Sequence, residues 1–156
     1  MKLCVFSDSH GNAGNMIAAI ERERPALCFF LGDGERDLDT VRERFPALPF
    51  YAVRGNCDGR SKLSASLVCA VGGVRIFACH GHRYDVKYES VPESLLSAAK
   101  EAGADAALFG HTHRAYLARR DGVTLLNPGS IGRGEKPCYG VLLPEGGVLR
   151  AELKTL

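Results

Sequence analysis

With 156 residues and 16.8 kDa, the chain has room for one domain, residues 1–156, and too little for two of ordinary size. Its 46% hydrophobic and 24% charged residues fit a globular protein and exclude a disordered one, which needs low hydrophobicity and high net charge. A formal net charge of +2 is too small to point to a nucleic-acid or membrane surface.

The longest apolar run, Ala26 to Leu31, has six residues, far short of the roughly 18 a membrane span needs. Leu3-Cys4-Val5-Phe6 is likewise too short for the apolar region of a secretory signal. A cytoplasmic protein without membrane contact is expected. None of the six cysteines forms a CxxC pair, which removes zinc-ribbon and thioredoxin motifs. Cys4, Cys28, Cys69 and Cys79 sit in apolar runs and read as small buried hydrophobes in a reducing compartment.

In chain order, Lys2 to Phe6 predicts a buried strand, cut off by Ser7-Asp8-Ser9-His10. A helix follows from about Ala13 to Arg24, with Met16, Ile17 and Ile20 on one face and Pro25 as its stop. Ala26 to Leu31 is a second strand, Gly32-Asp33-Gly34 a turn, and Asp37 to Phe45 a second helix. Phe50 to Val53 is a third strand. This βαβαβ pattern implies parallel strands with right-handed crossovers. Leu67 to Val71 and Val74 to Cys79 form a hairpin about Gly72-Gly73. A third helix runs from about Val91 to Ala102, with Gly103 as its stop. Further strands are Asp105 to Phe109, Ala115 to Arg119, Val123 to Leu126, Tyr139 to Leu143 and Val148 to Leu153. Ten strands and three helices in one small α/β domain predict two stacked sheets with the helices outside.

Each apolar run ends in chemistry-bearing residues: Asp8-Ser9-His10, Gly32-Asp33, Gly55-Asn56, His80-Gly81-His82 and Gly110-His111-Thr112-His113. In an open α/β sheet the carboxyl ends of the strands line one crevice. Asp8, His10, Asp33, Asn56, His80, His111 and His113 should therefore converge. Asp, Asn and Gly are ordinary turn formers, so any one of these turns alone means little. The histidines decide the matter, because all five lie in these loops and none in a predicted helix or beyond His113. Imidazole with carboxylate suits a divalent transition metal. Seven such side chains exceed the three or four protein ligands of a single-ion site, so two cations are expected. Two divalent ions about 3.5–4 Å apart need an anion between them, which a carboxylate supplies.

Asp8-x-His10, Gly32-Asp33, Gly55-Asn56, His80 and Gly110-His111-x-His113, in this order, resemble the calcineurin-like metallophosphoesterase superfamily. Asp8-Ser9-His10-Gly11-Asn12, Gly55-Asn56-Cys57-Asp58 and Asn127-Pro128-Gly129-Ser130 resemble its small YfcE-type phosphodiesterase branch. The resemblance implies a four-layer α-β-β-α sandwich of two mixed sheets flanked by helices. It assigns Asp8, His10 and His113 to one metal, Asn56, His80 and His111 to the other, and Asp33 as the bridge. It implies a phosphoesterase, expected to act on diesters, in which a metal-bridging hydroxide attacks phosphorus in line.

Larger phosphatases of the superfamily carry a histidine where this chain has Cys57. A thiol is a poor acid in its place, which favours aryl phosphodiesters over alkyl monoesters. Cys57 reads either as a small filler or as a substrate contact. His82 reads either as the acid that Cys57 cannot be, or as a histidine behind or beside the site. Asn12 caps the first helix or touches a phosphate, and Asp58 is a turn residue or an acceptor that orients a ligand. Asn127 to Ser130 pack beneath the metal loop. Arg36, Arg60, Arg114 and Arg133 clamp a phosphate or stand in solvent. Arg83 to Pro92, with Tyr84 and Tyr88, forms one wall of the cleft, its tyrosines either packing or stacking on a base.

Manganese is the expected metal because oxygen donors accompany the imidazoles, while iron, nickel, cobalt and zinc also suit the set. The expected substrate is a small phosphoester. The small net charge and the lack of a basic run argue against long nucleic acid. A symmetric homodimer is the default assembly. The alternative is a catalytically weak interaction scaffold, as in retromer's small metallophosphoesterase-like subunit, which lacks part of this histidine set.

Overall fold

The computed structural model describes residues 1–89 and 91–156; Ser90, inside the 83–92 segment, lies outside the described residues. The elements in chain order are β1 (Leu3–Phe6), α1 (Ala13–Glu23), β2 (Leu27–Phe30), α2 (Glu35–Arg44) and β3 (Phe50–Ala52). They continue with β4 (Ser66–Val71), β5 (Val74–Cys79), α3 (Glu93–Glu101), β6 (Ala106–Leu108), β7 (Ala115–Arg120), β8 (Val123–Pro128), β9 (Cys138–Glu145) and β10 (Val148–Thr155).

The strands form two mixed five-stranded sheets, ordered β10-β9-β1-β2-β3 and β4-β5-β6-β8-β7. In the first, β1, β2 and β3 are parallel and β9 runs antiparallel to β1. In the second, β5, β6 and β8 are parallel, with β4 and β7 as antiparallel edges. Side-chain alternation then builds the layers. On β1, Leu3 and Val5 enter the core between the sheets, with Phe29, Ile76 and Leu108. Cys4 and Phe6 point the other way, onto Met16, Ile20, Leu38 and Val41 of α1 and α2. On the outer face of the second sheet, Phe77, Ala107 and Leu125 meet Leu95, Leu96 and Ala99 of α3. The result is the four-layer α-β-β-α sandwich. Because both faces of the parallel strands are covered, those strands read as unbroken apolar runs in the sequence.

Helix α1 buries Met16, Ala19, Ile20 and Glu23, an i, i+3, i+4, i+7 stripe. Its N-cap is Asn12, whose Oδ1 accepts the Asn15 N–H at 3.2 Å. Helix α2 starts at Glu35, two residues before the predicted Asp37. Its cap comes from the distant Asp58 carboxylate, which leaves no local sequence signal. Strand β8 runs two residues past the predicted Leu126, through Asn127 and Pro128. Pro128 is tolerated because β6 has already ended on that side, at the Leu108–Leu126 pair.

Candidate metal centre

Five loops at the carboxyl ends of β1, β2, β3, β5 and β6 meet at one edge of the sandwich. The first three bring Asp8, His10, Asp33 and Asn56 from one sheet, and the last two bring His80, His111 and His113 from the other. Five of these seven residues have positive φ: Asp8 at 57°, His10 at 44°, Asp33 at 61°, His111 at 69° and His113 at 58°. Asp and His tolerate this left-handed conformation better than most side chains, but it still carries strain. Here it turns the chain sharply enough to aim successive side chains inward.

Two groups result. Ligand atoms of Asp8, His10 and His113 lie within 4.8 Å of one another, and so do those of Asp33, His80 and His111. In the first group, Asp8 Oδ1 is 3.1 Å from His113 Nε2 and 3.6 Å from His10 Nε2. The two histidine Nε2 atoms are 3.2 Å apart. Donor atoms about 2.1 Å from one cation stand about 3.0–3.4 Å from each other in octahedral or tetrahedral arrays, so this triangle has the size of a coordination face. Asp8 is wholly buried and its Oδ1 has no hydrogen-bond partner. A buried carboxylate oxygen left bare is costly unless a cation meets it. The donor set therefore fits a divalent metal.

In the second group, His80 Nε2 lies 3.3 Å from Asp33 Oδ2 and 3.0 Å from Asn56 Oδ1. His80 Nδ1 is 2.7 Å from the Leu31 carbonyl and must donate to it. That bond fixes the tautomer and turns the Nε2 lone pair into the site. Asp33 Oδ2 is also 3.9 Å from His10 Nε2, so its carboxylate lies between the two groups. Burial opposes charge on Asp33, but its bond to His80 and the Cys57 N–H outweigh this and hold its pKa well below the usual range. Burial likewise opposes charge on His80, and the carboxylates of Asp33 and Asp8 reverse it, raising that pKa. His111 is lowered to about 4, by burial first and then by the charges of His80 and Lys87.

The Calcineurin-like phosphoesterase superfamily domain matches residues 1–145. The chain belongs to that superfamily. It is 33% identical over 135 residues to the probable metallophosphoesterase YsnB of Bacillus subtilis strain 168, across 84% of this chain and 75% of that one. A crystal structure from Streptococcus pneumoniae TIGR4, titled a predicted phosphoesterase, is 27% identical with a TM-score of 0.81, covering 99% of this chain and 88% of that one. Zinc-complexed Vps29 of Entamoeba histolytica, at 21% identity and a TM-score of 0.77 over 99% of both chains, shares the fold.

Around this candidate centre, further residues hold the loops. Asp58 Oδ2 accepts the N–H groups of Asp33 and Gly55 at 2.8 Å each, and Oδ1 accepts those of Gly34 and Glu35 at 3.0 and 3.1 Å. Asp58 thus joins the Asp33 and Asn56 loops and puts a carboxylate on the α2 N-terminus. Asp37 accepts the Ser9 hydroxyl and the Gly11 N–H, tying the first loop to α2. Ser130 Oγ donates to the Asp8 carbonyl at 2.7 Å, and Asn127 Nδ2 to the Gly110 carbonyl at 2.9 Å. The Asn127–Ser130 segment therefore braces two metal loops. Sequence reasoning missed Asp37, Ser7 and Ser9. No local signal marks Asp37, since an acid in a helix's first turn is ordinary and its burial appears only in the packed structure. Gly110 is required by packing, since a Cβ there would strike Ser7 Oγ and the Asp8 carboxylate.

His82 lies beside the pair, its ring centroid 5.5 Å from that of His80 and 6.1 Å from that of His111. Its Nδ1 is buried without a partner, and burial with the charges of His80 and Arg83 lowers its pKa. Cys57 is exposed at the cleft, and its Sγ shares a 4.8 Å cluster with His10 and Asp33. Burial, then the Asp33 carboxylate, raise its thiol pKa. Arg36 and Arg60 line a cleft of about 660 Å³ that includes His10 and Asp33. Arg114 lines a different cavity, and Arg133 is exposed, with its N–H on Ser130 Oγ. Of the two tyrosines predicted in the 83–92 wall, Tyr84 packs edge-on against Phe77 and Tyr88 is 87% exposed. Val86, Lys87, Glu89 and Pro92 line the separate cavity of about 550 Å³ that also holds Arg114, so this segment does not wall the cleft with His10 and Asp33.

Proposed function

We propose that this chain is a phosphodiesterase that works with two divalent cations. Asp8, His10 and His113 would hold one, Asn56, His80 and His111 the other, and the Asp33 carboxylate would lie between them. The observation that carries the reading is the bare, buried Asp8 Oδ1 facing three imidazole nitrogens whose spacing suits a cation. Two such ions supply Lewis acidity that activates water near neutral pH and offsets charge on the phosphoryl oxygens. The chain's part is to hold those ions rigidly. Leu31 fixes the His80 tautomer, Asp58 and Asp37 fix the loops, and the 660 Å³ cleft admits the ester.

In this reading His82 positions the ester oxygen by a hydrogen bond. Its lowered pKa leaves it neutral near pH 7. With a raised thiol at Cys57, the site suits leaving groups that depart without protonation, such as aryl oxyanions. Oxygen donors beside the imidazoles favour manganese. The fold alone does not separate an enzyme from a scaffold; the intact set of seven donors favours the enzyme.

The test is hydrolysis of bis(p-nitrophenyl) phosphate by manganese-loaded protein, with elemental analysis of the same sample. Close to two ions per chain are expected, faster turnover of the diester than of p-nitrophenyl phosphate, and a loss of at least ~10²-fold in His111→Ala. A metal content near zero after soaking would overturn the proposal.

A further inference from the structure

Ser7 directly follows β1 and is wholly buried. It continues the alternation of Leu3 and Val5, which face the core between the sheets. It lies against Gly110 of the second sheet, where an added Cβ would meet its Oγ. An apolar side chain would suit that layer, and a hydroxyl buried there is costly unless it is paired. Its partner is Asp8: Ser7 Oγ donates to Asp8 Oδ2 at 2.5 Å, the only hydrogen bond of this side chain among the described residues.

The backbone of Ser7 and Asp8 is held from both sides. The Asp8 N–H donates to the Gly32 carbonyl at 3.0 Å, the Ile131 N–H to the Ser7 carbonyl at 3.1 Å and the Gly132 N–H to the Asp8 carbonyl at 3.3 Å. Rotation of the Asp8 carboxylate is then opposed by two donors on one oxygen. Oδ2 accepts the Ser7 hydroxyl and, at 3.0 Å, the His111 N–H. Oδ1, without a donor, lies 3.1 Å from His113 Nε2, 3.6 Å from His10 Nε2 and 3.9 Å from His80 Nε2. Asp33 is divided in the same way, with Oδ1 on the Cys57 N–H at 2.8 Å and Oδ2 toward His80. There the donor is backbone; on Asp8 one of the two is a side chain, so the sequence selects it.

Resting on the two-ion reading, we propose that Ser7 is a positioning residue that acts through Asp8: its hydroxyl occupies Oδ2, so that Asp8 offers a cation the single oxygen Oδ1. A hydrogen bond from a hydroxyl to a carboxylate is among the stronger ones, which suits it to this task. A carboxylate that grips an ion with both oxygens fills two places in its coordination shell. One that binds through a single oxygen fills one and leaves a place for water or the ester. Because the His111 N–H shares Oδ2, the same arrangement ties Asp8 to the loop that carries His111 and His113.

Cobalt titration of the wild type and of Ser7→Ala, followed by calorimetry and visible absorption, tests it. Cobalt suits the donor set, and its visible bands weaken as its shell fills toward an octahedron. Ser7→Ala should bind one of two ions about 10–100-fold more weakly, the usual cost of losing a partner that orients a ligand. Its absorption per bound cobalt should fall as the freed Oδ2 takes a second place on the ion. Thermal melts of the metal-free proteins separate a purely structural role. That role would lower the melting temperature of Ser7→Ala and leave cobalt affinity and spectrum as in the wild type. Wild-type affinity or a wild-type spectrum in Ser7→Ala, whatever its melting temperature, would overturn the proposal. Should Ser7→Ala not fold, a crystal structure of the cobalt-loaded wild type decides. Asp8 on an ion through Oδ1 alone, with Oδ2 on Ser7, supports the proposal, and both oxygens on one ion overturns it. A wild type that takes up no cobalt overturns the two-ion reading and this proposal with it; uptake with an unaffected Ser7→Ala overturns the role of Ser7 alone.

Discussion

Asp58 binds no metal, yet four backbone N–H groups close on its carboxylate. Removing it leaves those donors facing one another at the junction of two metal loops. Asp58→Ala should cost about 2–4 kcal/mol, since bonds to a charged acceptor are worth more than neutral ones. Asn at this position should be nearly as damaging, because its amide would point N–H groups at backbone donors. Chemical denaturation would show the loss, and elemental analysis would show metal content falling with it as the Asp33 loop loosens. An Asp58→Asn variant that kept both stability and metal would contradict this account. The meeting of the strand-end loops was legible in the sequence because histidine is scarce and all five lie in those loops. Asp58 reads from the sequence as an orienting acceptor and Asn127 to Ser130 as a support beneath the loop, but Asp37 does not, because an acid in a helix's first turn is ordinary there and only its partners Ser9 and Gly11, 28 and 26 positions away, show what it does.

At the scale of elements, Glu23 anchors α1 to the β10-β9-β1 side of the first sheet. Its buried carboxylate meets Lys2 Nζ, Lys154 Nζ and the Tyr139 hydroxyl, each at 3.0 Å. Burial works against its charge, and the bonds to Lys154, Lys2 and Tyr139 more than offset it, lowering its pKa to about 2 from 4.5. A pKa lowered by folding gives stability that is fully present above pH 4.5 and is lost as pH falls toward about 2. Melting temperature should therefore drop through that window, and Glu23→Gln should flatten the drop while lowering stability at neutral pH. Thermal melts of both proteins from pH 2 to 7 check this. The order of elements along the chain was readable from apolar runs and turn residues. The α2 start was not, because its cap is supplied by Asp58. Nor was the place of β9 beside β1, since an apolar run names its partner only through the packed structure.

For the whole molecule, the proposed ligands come in two sets, four residues from one sheet and three from the other. Without positive charge their acceptor atoms crowd one another, Asp8 Oδ1 worst of all. Divalent ions should relieve this and bind the folded state alone. At a hundredfold excess over Kd, one site stabilises by about 2.7 kcal/mol. Manganese should thus raise the melting temperature, and a chelator should reverse the rise. The effect should be much weaker in His111→Ala. An unchanged melting curve would remove the ions from the description. The two-sheet architecture was predictable from the number of strands in so short a chain. The 550 Å³ cavity was not, because its walls come from two loops that only the second sheet brings together.

The position of β9 bears on how such a protein is made. β1 carries the Asp8 and His10 loop and lies between β2 and β9, with β9 beginning only at Cys138. During synthesis the first four ligands leave the ribosome early, but β1 keeps an open edge until that late hairpin arrives to zip onto it. Stable uptake of ions should thus be one of the last steps of maturation, and a nascent chain stalled before Cys138 should release manganese on simple dilution.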